Sequence, residues 1–284
     1  MQPVQPLAYM SPEFLESDEA RPIRILAEYL EPLRRFKSEH IRDTVVFFGS
    51  ARIRSREAAE RAIAGIERGE LDGRSEEEAR ALAMRALEWS RYYEDARELA
   101  KRLTTWAKTL PGHCARFVVC SGGGPGIMEA ANRGAQEAGG KTIGLNIRLP
   151  HEQGANPYIT RGLHFEFHYF FMRKFWFAYM AKALVVFPGG FGTMDELFEI
   201  LTLEQTKKLA DRTSIFLYGD DYWNRVLNLD PLVDWGAVSP SDPQLLIRVN
   251  NVDDAFQKLR DRLEAVLDQE PEKEKAPVLA RTRA

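Results

Sequence analysis

An unbroken apolar run, Ala183-Leu-Val-Val-Phe187, passes through Pro188-Gly-Gly-Phe-Gly-Thr-Met-Asp-Glu196 into Leu197–Thr206, whose apolar residues recur at helical spacing. A strand that is apolar at every position must be covered on both faces, which is the condition of a strand in a parallel α/β sheet. The same strand–turn–helix order recurs upstream. Arg116-Phe-Val-Val-Cys120 leads through Ser121-Gly-Gly-Gly-Pro-Gly126 into a helix over 126–138, closed by Gly139-Gly140. Thr44-Val-Val-Phe-Phe48 leads into Gly49-Ser50-Ala51-Arg52. Further strands are read at 141–147, 163–169 and 213–218, and further helices at 170–182, from 197 to about 209, 222–230 and 252–268. The fold class that follows is α/β, a Rossmann-like, doubly wound parallel sheet with helices on both faces.

Residues 1–40 are read as a helical extension ahead of that sheet. Three prolines before residue 13 keep the first twenty residues loosely ordered; residues 21–39 are helical, with Pro32 expected to bend or interrupt the helix. Residues 41–270 form a single domain with a helical insertion near 54–110, broken about Gly69–Gly73, where Ser75 and Glu78 make a capping box. Residues 150–162 are a loop, and the charged stretch 271–284 is a flexible tail.

With 284 residues, 44% hydrophobic, the chain is long enough for a large core. Its net charge of −3 gives no basic footprint, so nucleic acid is not an expected partner. No run is long enough to span a membrane and no leader is visible, so no membrane partner is expected and the location is read as cytoplasmic. Two cysteines, Cys114 and Cys120, cannot cage a metal, and Cys120 reads as a small core residue. No metal and no cofactor are expected.

The two glycine-rich turns carry the chemistry. A glycine turn opening a helix lets bare backbone approach an anion, and the helix's first N–H groups point at it. Two such turns read as one ligand gripped from adjacent loops, although glycine for tight turning alone remains an alternative. The dinucleotide fingerprint fails, because the sixth position from Gly122 is Ile127. Gly140-Lys141-Thr142 imitates the end of a P-loop, but the earlier glycine it needs is Ala135. A smaller phosphate ester is therefore favoured. By position alone, Glu196 reads as a first-turn acid complementing the helix dipole, and Arg173 as a surface residue paired with Glu166 or Asp195.

Three motifs together, Ser121-Gly-Gly-Gly-Pro-Gly-Ile-Met128, Met172-Arg173-Lys174 and Pro188–Glu196, resemble the Lonely Guy (LOG) family, whose pattern P-G-G-x-G-T-x-x-E is matched throughout. The likeness covers about residues 42–220. Family members are cytokinin riboside 5′-monophosphate phosphoribohydrolases, long mislabelled lysine decarboxylases. The resemblance implies hydrolysis of the N-glycosidic bond of a purine nucleoside 5′-monophosphate, a cytokinin riboside monophosphate or AMP, to free base and ribose 5-phosphate. It implies that Arg173 and Glu196 are catalytic. It implies that Gly190, Gly192 and Thr193 hold the 5′-phosphate, with Gly122, Gly123 and Gly124 closing the site; Gly49, Ser50, Met128 and Gly189 complete the substrate-binding set. It implies a homodimer or higher homo-oligomer. Unlike short members, this chain carries the N-terminal helix and the 54–110 region.

An alternative class is a non-catalytic carrier of a nucleotide or molybdenum cofactor on a related fold, which has no need of the glutamate. No lysine sits in a context for a pyridoxal Schiff base, so amino-acid decarboxylation is not expected. His164, Glu166 and His168 alternate onto one strand face, either as a metal site or proton relay or, as favoured, as a polar surface. The aromatic group Tyr169–Phe171, Phe175–Phe177 and Tyr179 reads as core or subunit contact, with base stacking as the alternative.

Overall fold

The computed structural model describes residues 6–148, 154–209 and 213–269. The expected tail at 271–284 and part of the loop at 150–162 lie outside the described residues. Along the chain run α1 (Pro12–Glu16), α2 (Arg21–Ser38), β1 (Thr44–Phe48), α3 (Arg56–Glu67), α4 (Glu76–Ala107), β2 (Val118–Ser121), α5 (Ile127–Glu137), β3 (Thr142–Ile147) and β4 (His164–Phe167). They are followed by α6 (Phe170–Met180), β5 (Ala181–Val186), α7 (Phe191–Gln205), β6 (Ser214–Tyr218), α8 (Asp220–Val226), α9 (Asp230–Asp234), β7 (Leu246–Val249) and α10 (Val252–Asp268).

The strands pair in parallel in the order β4-β3-β2-β1-β5-β6-β7. The chain builds outward from β1 to β4 on one side, then returns to the other flank of β1 with β5. The reversal in strand order therefore falls between β1 and β5, and the loops leaving the carboxyl ends of β1, β2 and β5 gather there.

The period-two alternation of each strand divides the core into two layers. Val46, Phe48, Cys120, Leu184 and Val186 face Phe36 of α2, Trp176 and Phe177 of α6 and Leu197 of α7. Val45, Phe47, Val119, Ala183 and Val185 face Tyr93 and Leu99 of α4, Ile127 of α5 and Leu259 of α10. The doubly wound α/β reading is thus the observed architecture. The capping box at Ser75 and Glu78 opens α4, a 32-residue helix.

Several boundaries differ from the sequence reading. Within the first twenty residues, Ser11 caps a short helix, α1, by accepting from Phe14 N. Helix α2 runs on through Pro32 rather than breaking there. Proline cannot donate to the carbonyl four residues back, that of Glu28. The Trp176 indole N–H takes that carbonyl instead, at 3.0 Å, so the missing backbone bond is replaced across the α2–α6 contact. The Glu28 carboxylate meanwhile accepts the amides of His168 and Tyr169 at 2.7 and 3.3 Å at the start of α6. Helix α6 stops at Met180 and β5 begins at Ala181, two residues before the apolar run. Lys182, buried in β5, disguises that start. Strand β7, with Arg248 in its four residues, is an addition to the strands expected from sequence.

At the opposite end of the sheet from the gathered loops, Asp43 is fully buried and receives Arg116 Nη2 at 2.6 Å and the Phe117 amide. Arg116 is itself almost fully enclosed. Removing one partner of such a pair leaves a buried charge unmatched. Asp43→Ala is expected to lower unfolding free energy by about 3–5 kcal/mol, read from chemical denaturation by circular dichroism.

Candidate active site

One residue ties the three gathered loops together. The Ser50 amide donates to the Pro188 carbonyl at 3.0 Å, and the Ser50 carbonyl accepts from the Ile127 amide at 3.1 Å. The turn after β1 is thereby joined to the turn after β5 and to the first residue of α5. Ser50 Oγ accepts from the Arg52 amide and shapes its own turn. Gly49 packs against Ile127, whose side chain lies 2.8 Å from where a Cβ on Gly49 would sit. Gly126 has φ +72°, and a Cβ there would fall 2.3 Å from the Ser50 carbonyl oxygen. The close join between the first two turns therefore requires glycine at 126.

The turn Ser121–Gly126 is fixed from below by a buried polar network. Ser121 Oγ donates to Asn132 Oδ1 at 2.7 Å and accepts the Gly123 amide at 3.0 Å. Asn156 Nδ2 donates to the carbonyls of Gly123 and Gly124, each at 3.0 Å. These bonds hold the turn from Asn132 and Asn156. Met128, in the first turn of α5, covers Gly122: its sulfur lies 2.7 Å from where a Cβ on that glycine would sit.

Helices α5 and α7 both begin on a glycine, Gly126 and Gly190, with no side-chain cap. The Ile127 amide of α5 is taken by Ser50; the N–H groups that follow it in the first turn of α5, and those of the first turn of α7, are donors without a helical partner. In the turn after β5, Gly189 is packed against Thr193, whose Oγ1 lies 2.1 Å from where a Cβ on Gly189 would sit, so glycine there has an internal cause. Gly190 and Gly192 do not: a Cβ on either would meet nothing within 4 Å and neither has a left-handed φ. Bare backbone next to open space, at a helix start, is the geometry of an anion cradle. Phe191 between them is 94% exposed.

Glu196 lies in the second turn of α7, not the first as its sequence position suggests; the first turn carries no acid. This removes the simple explanation as a dipole-complementing residue. Arg173, from α6, donates from Nη2 to Glu196 Oε1 at 2.9 Å, with the two side chains 11% and 14% exposed. The expected pairing with Glu166 or Asp195 is thus corrected. Asp195 is taken instead by Lys174 Nζ, at 2.8 Å, which also reaches Glu199 at 3.1 Å. Successive residues on each helix point about 100° apart, so the two cations meet different carboxylates. Arg173 Nη1 lies 3.9 Å from where a Cβ on Gly122 would sit, which brings the second glycine turn against the ion pair. The Arg173 Cζ lies 5.5 Å from the ring centroids of both Phe170 and Phe177, and its Nε is buried without a hydrogen-bond partner.

Burial pushes the Glu196 carboxyl up to about 7, against the opposing pull of Arg173. A buried carboxyl pushed toward neutrality beside an open glycine turn is equipped for proton chemistry. The other sequence candidates separate from it. His164 and Glu166 are exposed on β4, at one edge of the sheet, with Phe165 and Phe167 turned into the core. Among the described residues no group of three or more His, Cys, Asp or Glu is placed to hold a metal. Most of the aromatic group is core: Trp176 and Phe177 are fully buried, while Phe170 and Phe171 are half exposed. Tyr222, whose hydroxyl donates to the Gly189 carbonyl at 2.6 Å, is invisible to sequence reasoning, since no motif surrounds it. No described helix is long and apolar enough to cross a membrane.

Comparison with known proteins places these elements in a family context. Residues 128–259 match a family model described as possible lysine decarboxylase. The chain is 29% identical over 145 residues to the cytokinin riboside 5′-monophosphate phosphoribohydrolase LOG5 of Arabidopsis thaliana, covering 50% of this chain and 62% of that protein. It is 29% identical over 147 residues to the probable enzyme of the same name LOGL5 of Oryza sativa subsp. japonica, covering 51% and 58%. The chain thus spans about six-tenths of the length of these curated relatives. Among solved structures, the molybdenum cofactor carrier protein of Chlamydomonas reinhardtii is similar at 18% identity, covering 78% of this chain and 99% of that one, with a TM-score of 0.45. The resemblance to the Lonely Guy family, carried in the sequence by three short motifs, is borne out by the family model and by these relatives.

Proposed function

We propose that the chain hydrolyses the N-glycosidic bond of a purine nucleoside 5′-monophosphate, releasing the free base and ribose 5-phosphate. The observation that carries this reading is the buried Arg173–Glu196 pair, set beside two uncapped helix starts that open on glycine. The helix starts and the open backbone at Gly190 and Gly192 would take the 5′-phosphate, and Thr193 stands in the same first turn of α7. With the phosphate anchored there, the ribose extends toward Glu196. The curated relatives, named for this reaction on cytokinin riboside monophosphates, support the reaction class. The base, adenine or a cytokinin, belongs to the same proposal.

Departure of the base leaves positive charge on the ribose ring. An ionised carboxylate close to the anomeric carbon stabilises that charge and orients or deprotonates the attacking water. In this reading Glu196 would serve both roles. Its raised pKa makes it a competent base at neutral pH, because proton affinity and ionised fraction are both appreciable there. Arg173 holds one Glu196 oxygen in a fixed direction and keeps further N–H donors for the ribose or phosphate. Lys174 is an unsuitable amine nucleophile. Burial alone would lower its pKa, but Asp195 and Glu199 together raise it and hold the ammonium form. That argues against Lys174 as the amine of a decarboxylase.

The reading is tested by incubating the protein with AMP and with isopentenyladenosine monophosphate and separating the products by chromatography. Free base and ribose 5-phosphate are expected from at least one of them. Glu196→Gln is expected to lower the rate by at least about 10²-fold. Tight nucleotide binding without base release would instead indicate a carrier. Because the ionised form of Glu196 does the work, kcat/KM should fall as pH drops through about 7 and level off above it. A profile that rises toward acid pH would assign Glu196 the opposite role. The phosphate cradle makes a separate prediction. Gly192→Ala, inside the first turn of α7, should fold with a melting temperature no lower than the wild type yet bind AMP more weakly, since a Cβ there meets no protein atom within 4 Å. Gly126→Ala should destabilise the fold itself, by about 1 kcal/mol or more from its left-handed φ and its clash with Ser50.

A further inference from the structure

One segment of α4 grips the turn between β6 and α8 at four points. Asp95 accepts from the Tyr218 hydroxyl at 2.9 Å. The Tyr92 ring fills the space beside Gly219, lying 2.7 Å from where a Cβ on that residue would sit. Arg91 Nη2 pairs with Asp221 Oδ2 at 2.7 Å. The Trp89 ring meets the Tyr222 ring edge-on, with centroids 5.8 Å apart. Tyr222 carries this support onward, because its hydroxyl donates to the Gly189 carbonyl at 2.6 Å.

That last bond fixes more than a carbonyl. The Gly189 carbonyl and the Gly190 amide belong to one planar peptide unit, and the described peptide bonds are trans. In a trans unit the C=O and N–H point in opposite directions. Holding the carbonyl toward Tyr222 therefore turns the Gly190 N–H away from it, to the other side of the turn. A rotated peptide would present a carbonyl oxygen where an N–H now points, and an oxygen lone pair repels an anion. Glycines on both sides of the peptide make such a rotation sterically cheap, so the turn needs an external hold.

We propose that Tyr222 is a positioning residue for the anion-holding turn after β5, kept in place by α4 through Trp89 and Arg91, and that the ligand served by this brace is a phosphomonoester. The brace gives the helical insertion a role in ligand binding. It rests on the reading of the 188–196 turn as a phosphate cradle and does not require that the ligand be cleaved.

Calorimetry with ribose 5-phosphate, which has no base to release, tests it on the wild type, Tyr222→Phe and Trp89→Leu, each below its own unfolding midpoint. Tyr222→Phe removes only the hydroxyl and is expected to weaken ribose 5-phosphate about three- to tenfold. Trp89→Leu is expected to weaken it less. With AMP as substrate, Tyr222→Phe should raise KM by the same factor and leave kcat within about twofold. A structural role alone would lower the unfolding midpoint and leave the affinity of the folded protein unchanged. That result, or a wild type that does not bind ribose 5-phosphate, overturns the proposal. A wild type that binds ribose 5-phosphate more tightly than Tyr222→Phe, but frees no base from AMP, upholds the brace and rejects the hydrolase reading.

Discussion

The site depends on the two backbone hydrogen bonds of Ser50. Its amide is bound to Pro188 and its carbonyl to Ile127, so the turns after β1, β2 and β5 are joined through one residue. Each turn alone is a common way to start a helix. Joined at the point where strand order reverses, they place two helix starts around one space, and α6 adds Arg173 from the side. The join demands that backbones nearly touch, which explains glycine at 126 and close packing at Gly49. It does not explain glycine at 190 and 192, and that difference separates glycines the fold needs from glycines a ligand would need.

Burying Arg173 and Glu196 together is a poor way to stabilise a protein. The gain from pairing two charges barely offsets the loss of their hydration, and a well-packed apolar pair often does better. Here the balance is visible in Glu196 itself, which burial pushes up to about 7 despite an arginine in contact. A group held in that state is costly to the fold and useful to chemistry. By contrast, Asp43 and Arg116 lie at the far end of the sheet from the glycine-rich turns, and the backbone amide of Phe117 completes that pairing. The two ion pairs thus have different settings: one braces strand starts, the other lies against the Gly122 turn.

Much of this was legible in the chain. Runs such as Val45–Phe48 and Ala183–Phe187 are apolar at every position, and their glycine turns carry distinct punctuation, so the α/β class and the turns at the carboxyl ends of these strands followed from sequence. The helix running through Pro32 was not legible, because the group that replaces its missing hydrogen bond, the Trp176 indole, is distant in sequence. Strand β7 was hidden because an edge strand of four residues with a central arginine lacks a continuous apolar run. The partner of Glu196 was legible only as one of several pairings, with Arg173 on the preceding helix set against Glu166, Asp195 or Glu196. Sequence places Arg173 and Lys174 side by side facing Asp195 and Glu196, and only the orientation of α6 against α7 decides which cation meets which carboxylate. Tyr222 and Trp89 carry no motif, and their link to the cradle exists only through the fold of α4 across the β6–α8 turn.

The central claim is that one nucleoside monophosphate spans from the paired helix starts to the buried carboxylate. A crystal structure of Glu196→Gln with AMP bound tests it most directly. The account predicts the phosphate within hydrogen-bonding reach of the amides at Gly190–Thr193, near the Gly122–Gly124 turn, with the anomeric carbon against position 196. A phosphate bound away from both helix starts, or an anomeric carbon out of reach of position 196, would contradict it.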